Sequence, residues 1–123
     1  MNPAALIAAL DRALDEAGAT VTLRRIAESG NADVDVRAAG RGLQATELVQ
    51  GMSQTRVKLV ISPSPIAAAG WPVGEVSTPS VPVPSLPRRN DKIIYGSRIH
   101  NVDLVRPFYV ADQLVRIELE VEG

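Results

Sequence analysis

Cysteine is absent from this chain of 123 residues. That removes disulfides, thiolate zinc sites and cysteine nucleophiles together, and it fits a cytoplasmic origin. Aromatic residues make up only 3% against 46% hydrophobic residues overall. A core is therefore expected, and it must be built from Val, Leu, Ile and Ala. Charge of one sign is also missing: the net value is -1. A protein whose task is to coat nucleic acid needs a marked excess of Lys and Arg, so that class is disfavoured. Long apolar runs are lacking too. The stretch "AALIAAL" has no basic flank in front and is soon followed by Asp11 and Arg12. No targeting segment is expected from it, and nothing approaches the ~20 apolar residues that cross a bilayer. The length suits one domain.

What is present alternates. Asn2 can cap a first helix, with Pro3 at the position where its missing N–H is harmless. Leu6, Ile7, Leu10, Leu14 and Ala17 recur on one face, Asp11, Arg12, Asp15 and Glu16 on the other, and Gly18 is a natural stop. This places an amphipathic helix over residues 1–18 and a β domain over 19–123. A strand is expected over 19–27, where Val21 and Leu23 alternate with Thr20, Thr22 and Arg24. "ESGNAD" reads as a turn, followed by a strand through Val34, Val36 and Ala38. Residues 40–54 form a looser stretch in which "ATELVQ" can make a helical turn or two. A third strand runs from about Gln54 to Ser62, with Val57, Leu59 and Ile61 on one face.

Composition then changes. Seven of the nine prolines lie between Pro63 and Pro87. "SPSPIAAAGWP" allows a short helical turn, and "VGEVSTPSVPVPSLP" cannot pair inside a sheet, because proline has no N–H to donate. A long extended loop over about residues 63–89 follows, and loops of that length are functional or disordered. Gly96-Ser97 signals a two-residue type II′ hairpin. The last strand alternates Val115, Ile117, Leu119 and Val121 with Arg116, Glu118, Glu120 and Glu122, so one face of it is wet. The fold class is mainly β with one N-terminal helix: about six antiparallel strands in a small barrel or sandwich.

Candidate chemistry is thin. "GRGLQA" (Gly40, Gly42, Ala45) matches a loose dinucleotide fingerprint, but the acid required about 20 residues on is absent from "KLVISP". Turn glycines explain it better. His100 is the only imidazole and reads as a strand histidine that packs or faces solvent. Asp11, Asp15 and Glu16 read as a solvated helix face, and no calcium-loop spacing occurs. No catalytic residue, metal site or cofactor is assigned. Arg88, Arg89 and Lys92 form a basic knot, with Arg98, Arg106 and Arg116 as possible neighbours. These suit pairing with protein acids better than phosphate binding, given the neutral balance. Trp71, beside Pro72, is either a core lid or an interface anchor, and the same two roles are open to Phe108 and Tyr109 in the last hairpin loop.

Two stretches carry a resemblance: "ISPSPIAAAGWP", and the closing motif "PRRNDKIIYGSRIHNVDLVRPFYVADQLVRIELEVEG", with Asp91, Gly96, Val102, Val105, Pro107 and the strand from Leu114. The chain resembles the small head-completion proteins of long-tailed bacteriophages and prophages, also called head-closure, stopper or head–tail joining proteins. The resemblance covers about the last two-thirds of the chain. It implies a virion protein, made in the bacterial cytoplasm and placed in the phage neck. It implies a barrel protomer in a hexameric or dodecameric ring, below the portal and adaptor and above the tail-terminator or tail. DNA would pass the lumen without tight binding, no membrane would be involved, and no enzymatic activity is implied. The family's functional elements are loops, here residues 71–89 and 40–54. On this reading the interface residues are Trp71, Pro72, Val81, Pro82, Pro84, Arg88, Arg89, Phe108 and Tyr109. Rival expectations are an adaptor or tail-terminator ring and, in another class, a nucleic-acid-binding barrel. The last is poorly equipped, having few aromatics to stack on bases.

Overall fold

Four strands, over residues 19–27, 30–40, 57–61 and 113–122, are built by the two-residue period seen in the sequence, and together with two more they close on themselves. The computed structural model describes residues 2–28, 30–40, 57–71 and 86–122. Helix α1 spans Pro3–Ala17, and the Asn2 side chain caps it by accepting from the Ala5 N–H at 2.7 Å. Strands β1 (Ala19–Ala27) and β2 (Gly30–Gly40) form a hairpin. Then come β3 (Val57–Ile61), a short helix α2 (Ser64–Ala69), β4 (Lys92–Tyr95), β5 (Arg98–Val110) and β6 (Gln113–Glu122). Every neighbouring pair is antiparallel, and the order β1-β2-β3-β6-β5-β4 closes through β4 onto β1. A closed barrel is thus the form taken, rather than a sandwich. Closure removes most of the sheet edge that an open form would expose.

The inward residues supply the core. Val21 and Leu23, Val34, Val36 and Ala38, Val57, Leu59 and Ile61, then Ile117, Leu119 and Val121 are all buried. Burying such aliphatic side chains is worth roughly 1.5–3 kcal/mol each. The pattern on β3 and β6 is the one the alternation predicts, and their partner residues Leu59↔Leu119 and Ile61↔Ile117 meet face to face.

Two strands outrun their neighbours. β2 pairs with β1 along most of its length, but with β3 only at Ala38, Ala39 and Gly40. α2 packs on β2, and the Trp71 indole N–H donates to the Ala32 carbonyl at 2.8 Å. These two elements therefore stand where a longer β3 would have been. β5 is the second case. β4 pairs with it only from Arg98 to Asn101, and two backbone bonds join the 90–91 segment to Val102. Along residues 103–110, β5 has a strand only on its β6 side among the described residues. Pro107 lies in this stretch, as an edge position permits.

Several local expectations change. The first hairpin is tighter than "ESGNAD" suggests, since β2 already begins at Gly30. Gly96 and Ser97 both have positive φ (55° and 71°), so this turn is type I′ rather than II′. Phe108 and Tyr109 belong to β5 itself, and the turn beyond them is Ala111-Asp112, again with both φ positive. At Gly40 an added Cβ would collide with the Lys58 carbonyl oxygen, so the glycine allows β2 and β3 to approach. That accounts for the first glycine of "GRGLQA", whereas Gly42 and Ala45 lie outside the described residues. The expected start of β3 at Gln54 and the turns in "ATELVQ" lie outside them as well.

α1 packs against β6 and β2. Its C-terminal end is fastened by Arg37 of β2, whose guanidinium donates to the carbonyls of Leu14, Asp15 and Gly18 at 3.3, 3.1 and 2.8 Å. The Leu14 carbonyl also takes the Gly18 N–H at 2.8 Å, whereas those of Asp15 and Gly18 are of the kind a helix end leaves without internal donors. Leu14 is buried, whereas Leu6, Ile7 and Leu10 are only half-covered.

Candidate interaction surface

A cleft of about 250 Å³ lies between α1, β2 and α2, lined by Asp11, Leu14, Asp15, Arg37, Ser62, Ser64 and Pro65. Asp11, expected to be simply solvated, accepts from the Ser64 hydroxyl at 2.7 Å. Ser62 in turn takes the Ser64 N–H at 3.2 Å. These bonds tie α2 to α1. The Arg37 donors are already spent on the helix end and on Thr20. Asp11, Ser62, Ser64 and Arg37 are thus bonded within the cleft or at its edge, and the arrangement is that of a joint.

His100 sits opposite Ile93 on the inner wall of β5 and is 8% exposed. Burial, and then the neighbouring Arg98 charge, hold its pKa below the ordinary histidine value. It is therefore neutral near pH 7 and packs as a barrel residue. Among the described residues no group of three or more His, Asp or Glu side chains is placed to share a metal ion.

The most concentrated polar feature surrounds Arg25. The strand period turns this residue inward after Val21 and Leu23, and it is buried together with Asp91. Arg25 Nε and Nη2 donate to the two Asp91 oxygens at 3.1 and 3.0 Å, and Nη2 also reaches the Leu86 carbonyl at 2.8 Å. The guanidinium carbon lies 4.6 Å from the centroid of the Trp71 ring. Asp91 completes its set with the Arg88 N–H at 2.8 Å. Trp71 is 1% exposed and belongs to the core, so of its two roles the structure gives it that of the lid. The clasp joins the chain just before residue 72 to the chain just after residue 85. Pro72, Val81, Pro82 and Pro84 lie between, outside the described residues.

The basic knot is divided among protein acids. Arg89 is 3.8 Å from Asp103, Arg106 pairs with Glu120 at 3.3 Å and Arg116 with Glu118 at 2.8 Å. Arg88 and Arg89 are exposed. Lys92 binds the Asn101 side chain. Cross-strand Arg24 and Asp33 form a further pair, whose hydrogen bonds hold the Asp33 carboxyl below its ordinary range.

Apolar exposure is gathered on one strand. Among the described residues, the large apolar side chains left exposed are Ile26 on β1 and Ile99, Leu104, Phe108 and Tyr109 on β5. Leu104, Arg106 and Phe108 stand opposite Glu120, Glu118 and Arg116, on the outer face of the β5–β6 hairpin. Register shifts after Val102 and after Phe108 re-aim the strand, and Tyr109 is set opposite Leu114 beyond the second. Phe108 and Tyr109 are 42% and 50% exposed. The surface available for recognition is thus an aromatic hairpin flanked by arginines. Sequence reasoning singled out its two aromatics but missed Leu104 and the open edge beside it. It also missed Arg25, although the strand period pointed that charge inward.

No protein-family model matches the chain, and no curated protein is similar to it in sequence.

Proposed function

We propose that this chain is a structural protein of the phage neck. Copies of it form a ring between the portal and adaptor and the tail, closing the filled head and docking the tail. The observation that carries this reading is the gathering of exposed Leu104, Phe108 and Tyr109 on the outrunning β5–β6 hairpin. Aromatic side chains set in an exposed sheet are typical anchors of protein interfaces. The resemblance of "ISPSPIAAAGWP" and of the closing motif to head-completion proteins supplies the biological setting. A net charge of -1 suits a lumen that DNA passes without being gripped.

The test is to remove the gene from a phage or prophage that carries it and image the particles. Head closure requires DNA-filled heads that leak and lack tails. Overlong tails on intact heads would instead identify a tail terminator. Particles of normal form and infectivity would end the proposal.

A further inference from the structure

β3 is short, and both of its neighbours run past its end. β6 meets β3 from Ile117 to Val121 but itself begins at Gln113. β2 meets β3 only from Ala38 to Gly40 but begins at Gly30. Beyond Ile61, therefore, no strand stands between β2 and β6 among the described residues. Helices take that place: α2 packs on β2, and α1 packs on both β2 and β6.

The two helices are held differently. α2 and the residues just after it place Ile66 and Trp71 in the core cluster. No described residue of α1 belongs to that cluster or to the partly buried fringe packed on it. Leu14 is buried on α1, while Leu6, Ile7 and Leu10 stay half-covered. Val115 of β6 is a counterpart to Leu14: it is 7% exposed, yet it too stands outside the core cluster. The rest of the attachment is polar, Arg37 to carbonyls at the helix end and Ser64 to Asp11. Water replaces such bonds at small net cost, so little beyond Leu14 and its surroundings holds the helix down.

We infer that α1 is a cover over Val115 that opens while the barrel stays folded. Elements with few buried apolar contacts open at lower free energy than the core. The pivot is Gly18, the single residue between α1 and β1. Opening enlarges the apolar surface of the β5–β6 hairpin, because Leu114, next to Val115 in the chain, stands opposite exposed Tyr109. The position of α1 thus sets how much apolar surface that hairpin offers.

Gly18 also supplies the means of a test. Its backbone is extended (φ -88°, ψ 178°), which any residue adopts, but an added Cβ would lie 2.6 Å from the Leu14 carbonyl oxygen and 2.9 Å from that of Ala38. Alanine there strains the closed position of the helix. The chain has no cysteine, so a single introduced one reports its own exposure. Val115→Cys and Val102→Cys make the same change at two buried sites, the second of them in the core. A thiol reagent in native buffer should label position 115 at least ~10-fold faster than position 102. The rate at 115 should also depend less steeply on urea, since less surface opens. Adding Gly18→Ala or Asp11→Ala should speed labelling at 115 several-fold further. Equal rates at the two positions would mean that α1 leaves only when the barrel unfolds, which overturns the proposal. Fast labelling at 115 that neither added change alters overturns it too, because something other than α1 would then cover Val115. If a cysteine variant does not fold, amide exchange of the unmodified protein decides. Exchange throughout α1 well ahead of β3 supports independent opening, and a common rate refutes it.

Discussion

Arg25 and Asp91 show what one buried charge demands. Their pairing is bidentate and almost fully removed from water. Breaking such a pair from one side leaves the other charge uncompensated, which costs about 3–5 kcal/mol. Arg25→Met should therefore lower the stability measured by urea titration by about that amount. The double change Arg25→Met with Asp91→Leu should recover most of the loss. A second effect belongs to His100. Its folded pKa lies below the unfolded value of about 6.5, so the unfolded chain binds the proton more readily. The stability due to neutral, buried His100 is complete above that value and is lost as pH falls through the window beneath it. Melting temperature should accordingly drop between pH 7 and pH 5, and His100→Gln should flatten the slope over that range. The partner of Arg25 was beyond the reach of sequence reading. The period placed Arg25 inward, but no local pattern points to an acid 66 positions away.

Elements were more legible than their ends. The helix was written in Asn2, Pro3 and the apolar stripe, and the strands in the alternation of Val34, Val36, Leu59, Leu119 and Val121, because burial on one face leaves a local trace. On β5 that trace is interrupted. The irregularity between Val102 and Leu104 changes which residues face out, and the exposed aromatics, which in sequence resemble loop residues, belong to the strand. Turn type is hidden from the sequence for a related reason: glycine at the first position satisfies types I′ and II′ equally, and it is the positive φ of Ser97 that decides between them. The junction of β2 and β3 is the most sensitive element contact, because only Ala38, Ala39 and Gly40 of β2 meet β3. Gly40→Ala drives a methyl into the Lys58 carbonyl and should cost about 1–3 kcal/mol as an overpacking strain. Thermal unfolding measures it, and amide exchange should rise at Val60 before it rises in β6.

At the scale of the molecule, the barrel is stitched shut on both sides of residues 72–85. Trp71 and Leu86 each meet Arg25, and Leu86 also packs against the core. Replacing 72–85 with a short Gly/Ser linker should therefore leave a cooperatively folded barrel, as judged by its circular dichroism and by a single melting transition. A deletion carried on through Leu86 should not, because it takes part of the clasp with it. On the proposed function, loss of the segment should register in assembly of the phage neck rather than in folding. Barrel class was readable from the strand count and the wet face of β6. Closure was not, since it depends on β4 meeting β1 across a long interval of chain. The fastening of α1 has its own consequence. Arg37 grips the helix at Leu14, Asp15 and Gly18, while Leu6, Ile7 and Leu10 lie half-covered. The helix is fastened like a latch at that end and, through Asp11 and Ser64, at its middle, so deuterium uptake should reach Ile7 well before Ala17.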